Sequence, residues 1–112
     1  MSGPSLVVAS AARTTTGNSG ALDAPNDARL VLAVAVTAAS GTAPSLDVTV
    51  EWSMDGGATF CAADTADSMA QLATAVNRVK SFSIKGDSYR VVWTIGGTTP
   101  SFTFTVREMG LT

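Results

Sequence analysis

Nine carboxylates, one cysteine, many serines and threonines and no histidine are what this 112-residue chain offers to chemistry. Without histidine the commonest general base and the commonest metal ligand are both missing. Two carboxylates can cleave a glycosidic bond when one donates a proton and the other attacks or activates water. Three pairs raise that question: Asp23 with Asp27, Asp47 with Glu51, and Asp64 with Asp67. Asp47 and Glu51 fall on the polar side of an alternating run, where solvated charge is the simpler reading. The other two pairs fall in loop-like stretches, where Asp serves turns. Asn18, Asp23, Asn26 and Asp27 gather hard oxygens as a calcium loop does, but without EF-hand spacing, and turn chemistry explains them equally well. Cys61 has no second cysteine to pair with and no histidine to activate it, so it reads as a small core residue. No serine sits in a nucleophile motif beside a base. These residues predict no catalytic set, no cofactor and no resident metal.

Charge narrows the partners. The formal charge is −2 and the pI about 4.7, against the excess of Lys and Arg that phosphate binding needs, so no nucleic-acid partner is expected. Arg78, Lys80, Lys85 and Arg90 form a modest basic cluster near Tyr89 and Trp93, read first as a solvated strand face and second as a docking surface for an acidic partner. No uninterrupted apolar run reaches about 18 residues, so no membrane span is expected. A basic region followed by an apolar one is also missing from the N-terminus, which argues against a signal peptide.

The elements that must position these groups are announced by a repeat. Residues 41–50 read GTAPSLDVTV, and residues 97–106 read GTTPSFTFTV, 56 positions later. Each copy follows an apolar run, and each predicts strand, Gly-Thr-x-Pro-Ser turn, strand. Leu46, Val48, Val50 and Trp52 alternate with Asp47, Thr49, Glu51 and Ser53, as Phe102, Phe104 and Val106 do with Thr103, Thr105 and Arg107. A period of two marks strands with one dry and one wet face. The expected fold is all-β: a small antiparallel β-sandwich of about seven or eight strands, built on two strand–GTxPS–strand hairpins. Residues 1–12 are an N-terminal arm or first strand, and residues 13–112 a single domain. Residues 13–27 read as a long loop, of a length that is often functional or ordered by a partner. Residues 64–77 are ambiguous between a helix, from the spacing of Met69, Leu72, Ala73 and Val76, and an irregular crossing with a short strand at 71–74. The second is preferred because every neighbour is a strand. Phe82 and Ile84 are expected inward on a strand over 78–85.

Residues 53–60, SMDGGATF, match the Asp-box pattern Ser-x-Asp-x-Gly-x-Thr-aromatic. The Ser53 and Thr59 hydroxyls and the Asp55 carboxylate can satisfy the backbone of a turn that Gly56 and Gly57 permit, with Phe60 tucked beneath. The motif resembles the Asp-boxes of sialidase propellers, where it is structural. One copy cannot make a propeller, so Ser53, Asp55, Gly57, Thr59 and Phe60 are expected to staple a turn.

The succession LVVASAART, a Gly/Asp loop, LAVAVTAASGTAPSLDVTVEWSMDGGATF and YRVVWTIGGTTPSFTFTV resembles small head proteins of tailed bacteriophages, actinobacteriophages in particular. The likeness runs from about residue 6 to residue 106. It implies a virion protein of the capsid-decoration type, bound to the major capsid protein on the outside of the head, with self-association or symmetric multicopy assembly on the capsid. It brings no catalytic residues. Lattice contacts are then expected from Ser2, Pro4, Leu6, Val7 and Val8 and from Thr14, Thr15, Asn18 and Leu22, which are uncharged and have no evident place inside a sandwich. Two rival readings are a minor tail protein and a carbohydrate-binding module; the second would need exposed aromatic rings.

Overall fold

The computed structural model describes residues 2–112, and side chains from Pro4 onward. Seven strands follow in order: β1 (Ser2–Arg13), β2 (Gly17–Asn18), β3 (Leu22–Asp23), β4 (Arg29–Ser53), β5 (Cys61–Ser68), β6 (Asn77–Ser83) and β7 (Ser88–Leu111). Among the described residues there is no helix. The all-β reading therefore stands, and the helical spacing of Met69, Leu72 and Val76 does not make a helix. Met69 and Leu72 are buried instead by strand-like contacts. The Met69 and Leu72 amides donate to Val48 and Leu46, and the Leu46 amide returns a bond to Leu72.

Two long strands carry the architecture. β4 and β7 pair antiparallel along their whole lengths, from Arg29↔Leu111 to Ser53↔Ser88. The expected hairpins are therefore not formed, because the arms flanking each Gly-Thr-x-Pro-Ser segment pair with the other strand and not with each other. A straight strand of 25 residues would span roughly 80 Å, yet the longest dimension of the molecule is 39 Å. The ribbon must fold over at the repeated segments. Trp93 and Phe104, eleven residues apart on β7, accordingly meet edge to face at 5.6 Å across the core.

At the fold-over the two repeats clasp each other. Ser40 pairs with Ser101, Thr42 with Thr98 and Ser45 with Gly96, a set that maps onto itself when the copies are exchanged. Gly41 and Gly97 adopt φ of +111° and +112°, and Ala43 and Thr99 adopt +48° and +50°. A Cβ on Gly41 would lie 2.7 Å from the Thr99 carbonyl oxygen, and one on Gly97 would lie 2.7 Å from that of Ala43. The sequence repeat is thus a local two-fold axis. A bulge between Val36 and Ala38 gives β4 one more residue than β7 on its N-terminal side.

Both long strands bury alternate residues before and after the corner. Leu30, Leu32, Val34 and Val36 join Leu46, Val48, Val50 and Trp52 from β4, and Tyr89, Val91, Trp93, Phe102, Phe104 and Val106 come from β7. The other strands extend this one sheet. Residues 29–35 of β4 carry β6, and the residues of β4 near Trp52 carry β5. β1 pairs along residues 102–110 of β7, and β2 and β3 pair with residues 88–93. The N-terminal segment is thus a first strand. It places Val8 in the core and holds the Arg13 guanidinium 5.0 Å from the Trp93 ring and 4.9 Å from the Phe104 ring. The predicted loop over 13–27 likewise lies on the sheet: Ser19 exchanges hydrogen bonds with Val91, and a Cβ on Gly17 would lie 2.9 Å from the Trp93 ring, so the ring would have to shift.

Candidate functional site

The Asp-box closes β4 as a staple. The Ser53 hydroxyl donates to Asp55 Oδ1 at 2.6 Å and accepts the Gly57 amide at 2.9 Å and the Asp55 amide at 3.3 Å. Asp55 Oδ1 accepts the Thr59 amide at 2.9 Å. These bonds hold the Asp55 carboxyl below its ordinary range, the Ser53 hydroxyl contributing most and the Thr59 amide next. Ser53 was expected on the wet face but is buried, because the Gly86 backbone presses onto it. The Asp87 amide donates to the Ser53 carbonyl, and Asp87 Oδ1 accepts the Gly56 amide at 3.2 Å. The turn at 86–87 is therefore clamped to the Asp-box, a partnership that motif spacing does not announce. Phe60 is half-buried beneath the Arg90 guanidinium at 4.5 Å.

Beside the staple lies a cleft of about 400 Å³ lined by Trp52, Met54, Asp55, Thr59, Cys61 and Lys85, with Ala62 and Ala63. Cys61 is exposed here, opposite Trp52 on β5, and is not the core residue its isolation suggested. The Trp52 indole donates to Asp67 at 2.8 Å, and Lys85 pairs with the same carboxylate oxygen at 2.8 Å.

Four of the six candidate carboxylates have separate structural partners. Asp47 accepts from Gln71, Glu51 pairs with Arg90 at 2.6 Å, and Asp67 is held by Trp52 and Lys85. Asp27 accepts the Thr112 hydroxyl, and Asn18 Oδ1 accepts the Gly20 amide. Among the described residues no three His, Cys, Asp or Glu side chains gather as a metal site would require. The basic cluster also separates. Lys85 and Arg90 belong to the Asp-box end, Lys80 reaches the Ser68 carbonyl, and Arg78 lies on β6.

One polar pair stays unsatisfied inside. Tyr89 Oη and Glu108 Oε2 are buried and hydrogen-bond to no protein group. Burial, and then the Glu108 charge, push the Tyr89 phenol far up; burial alone raises the Glu108 carboxyl.

The expected contact residues divide into free and occupied. Pro4, Leu6, Thr14, Thr15 and Asn18 are exposed, Leu6 at 53%. Val8 is buried, and Val7 and Leu22 pack against the core, so these three serve the fold. The Ser2 side chain and all of Met1 lie outside the described residues. A face that the sequence reading did not single out stands beside Leu6. In the register of β6, β4, β7 and β1, one row across the outer side reads Val79, Ala33, Arg107, Leu6. Val79 is 68% exposed and Leu111 38%. The strand predicted over 78–85 with Phe82 inward already implied that Val79 points out; what could not be seen was its neighbour across the sheet. No protein-family model matches the chain, and no curated protein matches it.

Proposed function

We propose that this chain is a capsid-decoration protein, a non-enzymatic structural component on the outside of a tailed-phage head. The observation that carries the reading is the likeness to small phage head proteins over residues 6–106, strongest in GTAPSLDVTVEWSMDGGATF and YRVVWTIGGTTPSF. The structure adds a physical rationale. The fold is a single sheet doubled over at a clasped corner, and Asp47, Glu51, Asp55 and Asp67 are engaged in hydrogen bonds and ion pairs. An edge strand, β1, leaves one side of its backbone open to a neighbour. Such a protein binds the major capsid protein across junctions of the shell, and many weak copies acting together resist the outward pressure of packed DNA. A carbohydrate-binding role is disfavoured by the burial of Trp52, Trp93, Phe102 and Phe104. Mass spectrometry of purified particles tests the reading. Copy numbers in the hundreds, scaling with the major capsid protein, are expected. Tens of copies in purified tails and none in heads would overturn it in favour of a tail protein.

A further inference from the structure

Resting on that reading, we infer which side of the molecule meets the shell and what it meets there: the outer face of β6, residues 29–35 of β4 and residues 105–111 of β7 docks onto a carboxylate-bearing protein surface. Three of the four large hydrophobic side chains exposed on the described residues, Leu6, Val79 and Leu111, are carried by the strands of this face or its β1 border. Between Val79 and Arg107 the small side chains of Ala33 and Ala35 floor a hollow of about 280 Å³, with Asn77 and Arg78 on its lining. A concave, largely apolar patch of this kind on a small protein marks an interaction site.

Charge selects the occupant. The outward positions of these strands are 77, 79, 81 and 83, then 29, 31, 33 and 35, then 105, 107, 109 and 111. They hold Arg29 and Arg107 and no Asp or Glu, although the chain carries a net −2. Neither Arg78 nor Arg107 is ion-paired among the described residues; Arg107 reaches only the Thr105 hydroxyl, at 3.5 Å. Most acidic groups lie elsewhere: Asp47 and Glu51 face outward from the far half of β4, and Asp55, Asp67 and Asp87 cluster at the Asp-box end, while Asp27, which accepts the Thr112 hydroxyl, stands at the rim beside Leu111. The Arg107 guanidinium on the lining of the apolar hollow, with Arg29 farther along the same face, complements a surface that presents carboxylates around a small apolar knob, and Arg is well suited to bidentate pairing there. A second copy docked face to face through this same surface would offer Arg29 and Arg107 no carboxylate among its outward positions.

The test is occupancy on purified heads stripped of the protein. Val79→Glu and Arg107→Glu place a negative charge on the face, and Asp47→Lys reverses a charge on the opposite side. Melting curves confirm that each variant is folded; all three positions are solvent-accessible, and the two face variants are independent of each other. Wild type and Asp47→Lys are expected to load equally, and each face variant to lose at least tenfold in apparent affinity. Wild-type loading should also weaken as salt rises. Equal loading by the face variants, with loss in Asp47→Lys, would overturn this orientation while leaving decoration standing. A wild-type dimer in solution that Val79→Glu dissociates would assign the face to a second copy. Wild type that leaves heads bare would overturn the decoration reading, and this inference with it.

Discussion

Asp55 in the Asp-box and the buried Glu108 act on stability in opposite pH directions. Ser53 is buried with a hydroxyl that serves Asp55 and Gly57 together. Ser53→Ala is therefore expected to cost about 1–3 kcal/mol in denaturant unfolding, the range for stranding buried polar partners, and a wild-type midpoint would show that the staple is dispensable. Because the folded Asp55 carboxyl is held below its ordinary 3.8, its contribution is present above that value and is lost as pH falls through the lowered one. Glu108 runs the other way. Burial lifts its carboxyl above the ordinary 4.5, so the folded chain binds this proton more tightly than the unfolded chain does. Its contribution is present below 4.5 and is lost as pH rises through the elevated value. Glu108→Gln, which keeps the neutral shape, is expected to be more stable than wild type at pH 7 and equal to it near pH 4. A stability difference that does not change with pH would show that the Glu108 carboxylate is not desolvated by the fold.

At the scale of elements, the two Gly-Thr-x-Pro-Ser segments are one device made twice. Gly41→Ala and Gly97→Ala each combine a positive φ with a backbone collision on the opposite copy. Each is expected to cost about 2–4 kcal/mol, from backbone strain plus overpacking, and the two costs should be close. A large cost at one glycine and none at the other would break the local two-fold account. This device also marks what could be read from sequence. The period of two placed Leu46 to Trp52 and Phe102 to Val106 on the dry face, because alternation survives whatever the strand pairs with. The Gly-Thr-x-Pro-Ser segments themselves read as hairpin turns but are not, because Gly and Pro signal a change of chain direction without saying which strand lies alongside. Pairing β4 with β7 is a long-range choice that only the complete core decides. Of the surface features, the turn bonds within the Asp-box were legible because they are local, whereas its clamp to Asp87 and the burial of Ser53 were not, because they come from the distant turn at 86–87. The hollow between Val79 and Arg107 was not, because its walls come from strands far apart in sequence. The N-terminal segment shows the same limit. Its modest side chains leave an arm and a first strand equally open, and Val8 in the core with Arg13 over Trp93 and Phe104 decides for the strand. Removing residues 1–13 is now expected to destabilise the domain and broaden its melting transition; a truncated chain with wild-type stability would restore the arm.

For the whole molecule, the pairing of β4 with β7 sets how the chain must fold. Ser53 and Ser88 are 35 residues apart in sequence, Thr42 and Thr98 are 56 apart, and Arg29 and Leu111 are 82 apart. Loop-closure entropy rises with each step along that ladder. The cheapest place to begin is therefore the end where the Asp-box is clamped to the 86–87 turn, with the ribbon zipping from there through the corner to Leu30 and Gly110. A sheet dominated by such distant pairs is expected to fold in about milliseconds to seconds, not microseconds. Substitutions at the two ends of β4 should then divide kinetically. Val50→Ala, near the closing end, is expected to slow folding, with a φ-value above about 0.5. Leu30→Ala, at the far end, should leave the folding rate nearly unchanged and speed unfolding, with a φ-value below about 0.3. Both side chains are fully buried, so each truncation removes enough stability for the ratio to be measured. Chevron plots of the two variants decide the matter. The reverse pattern would mean that the long-range end, where β1, β4, β6 and β7 come together, assembles first and that the Asp-box locks a ribbon already formed.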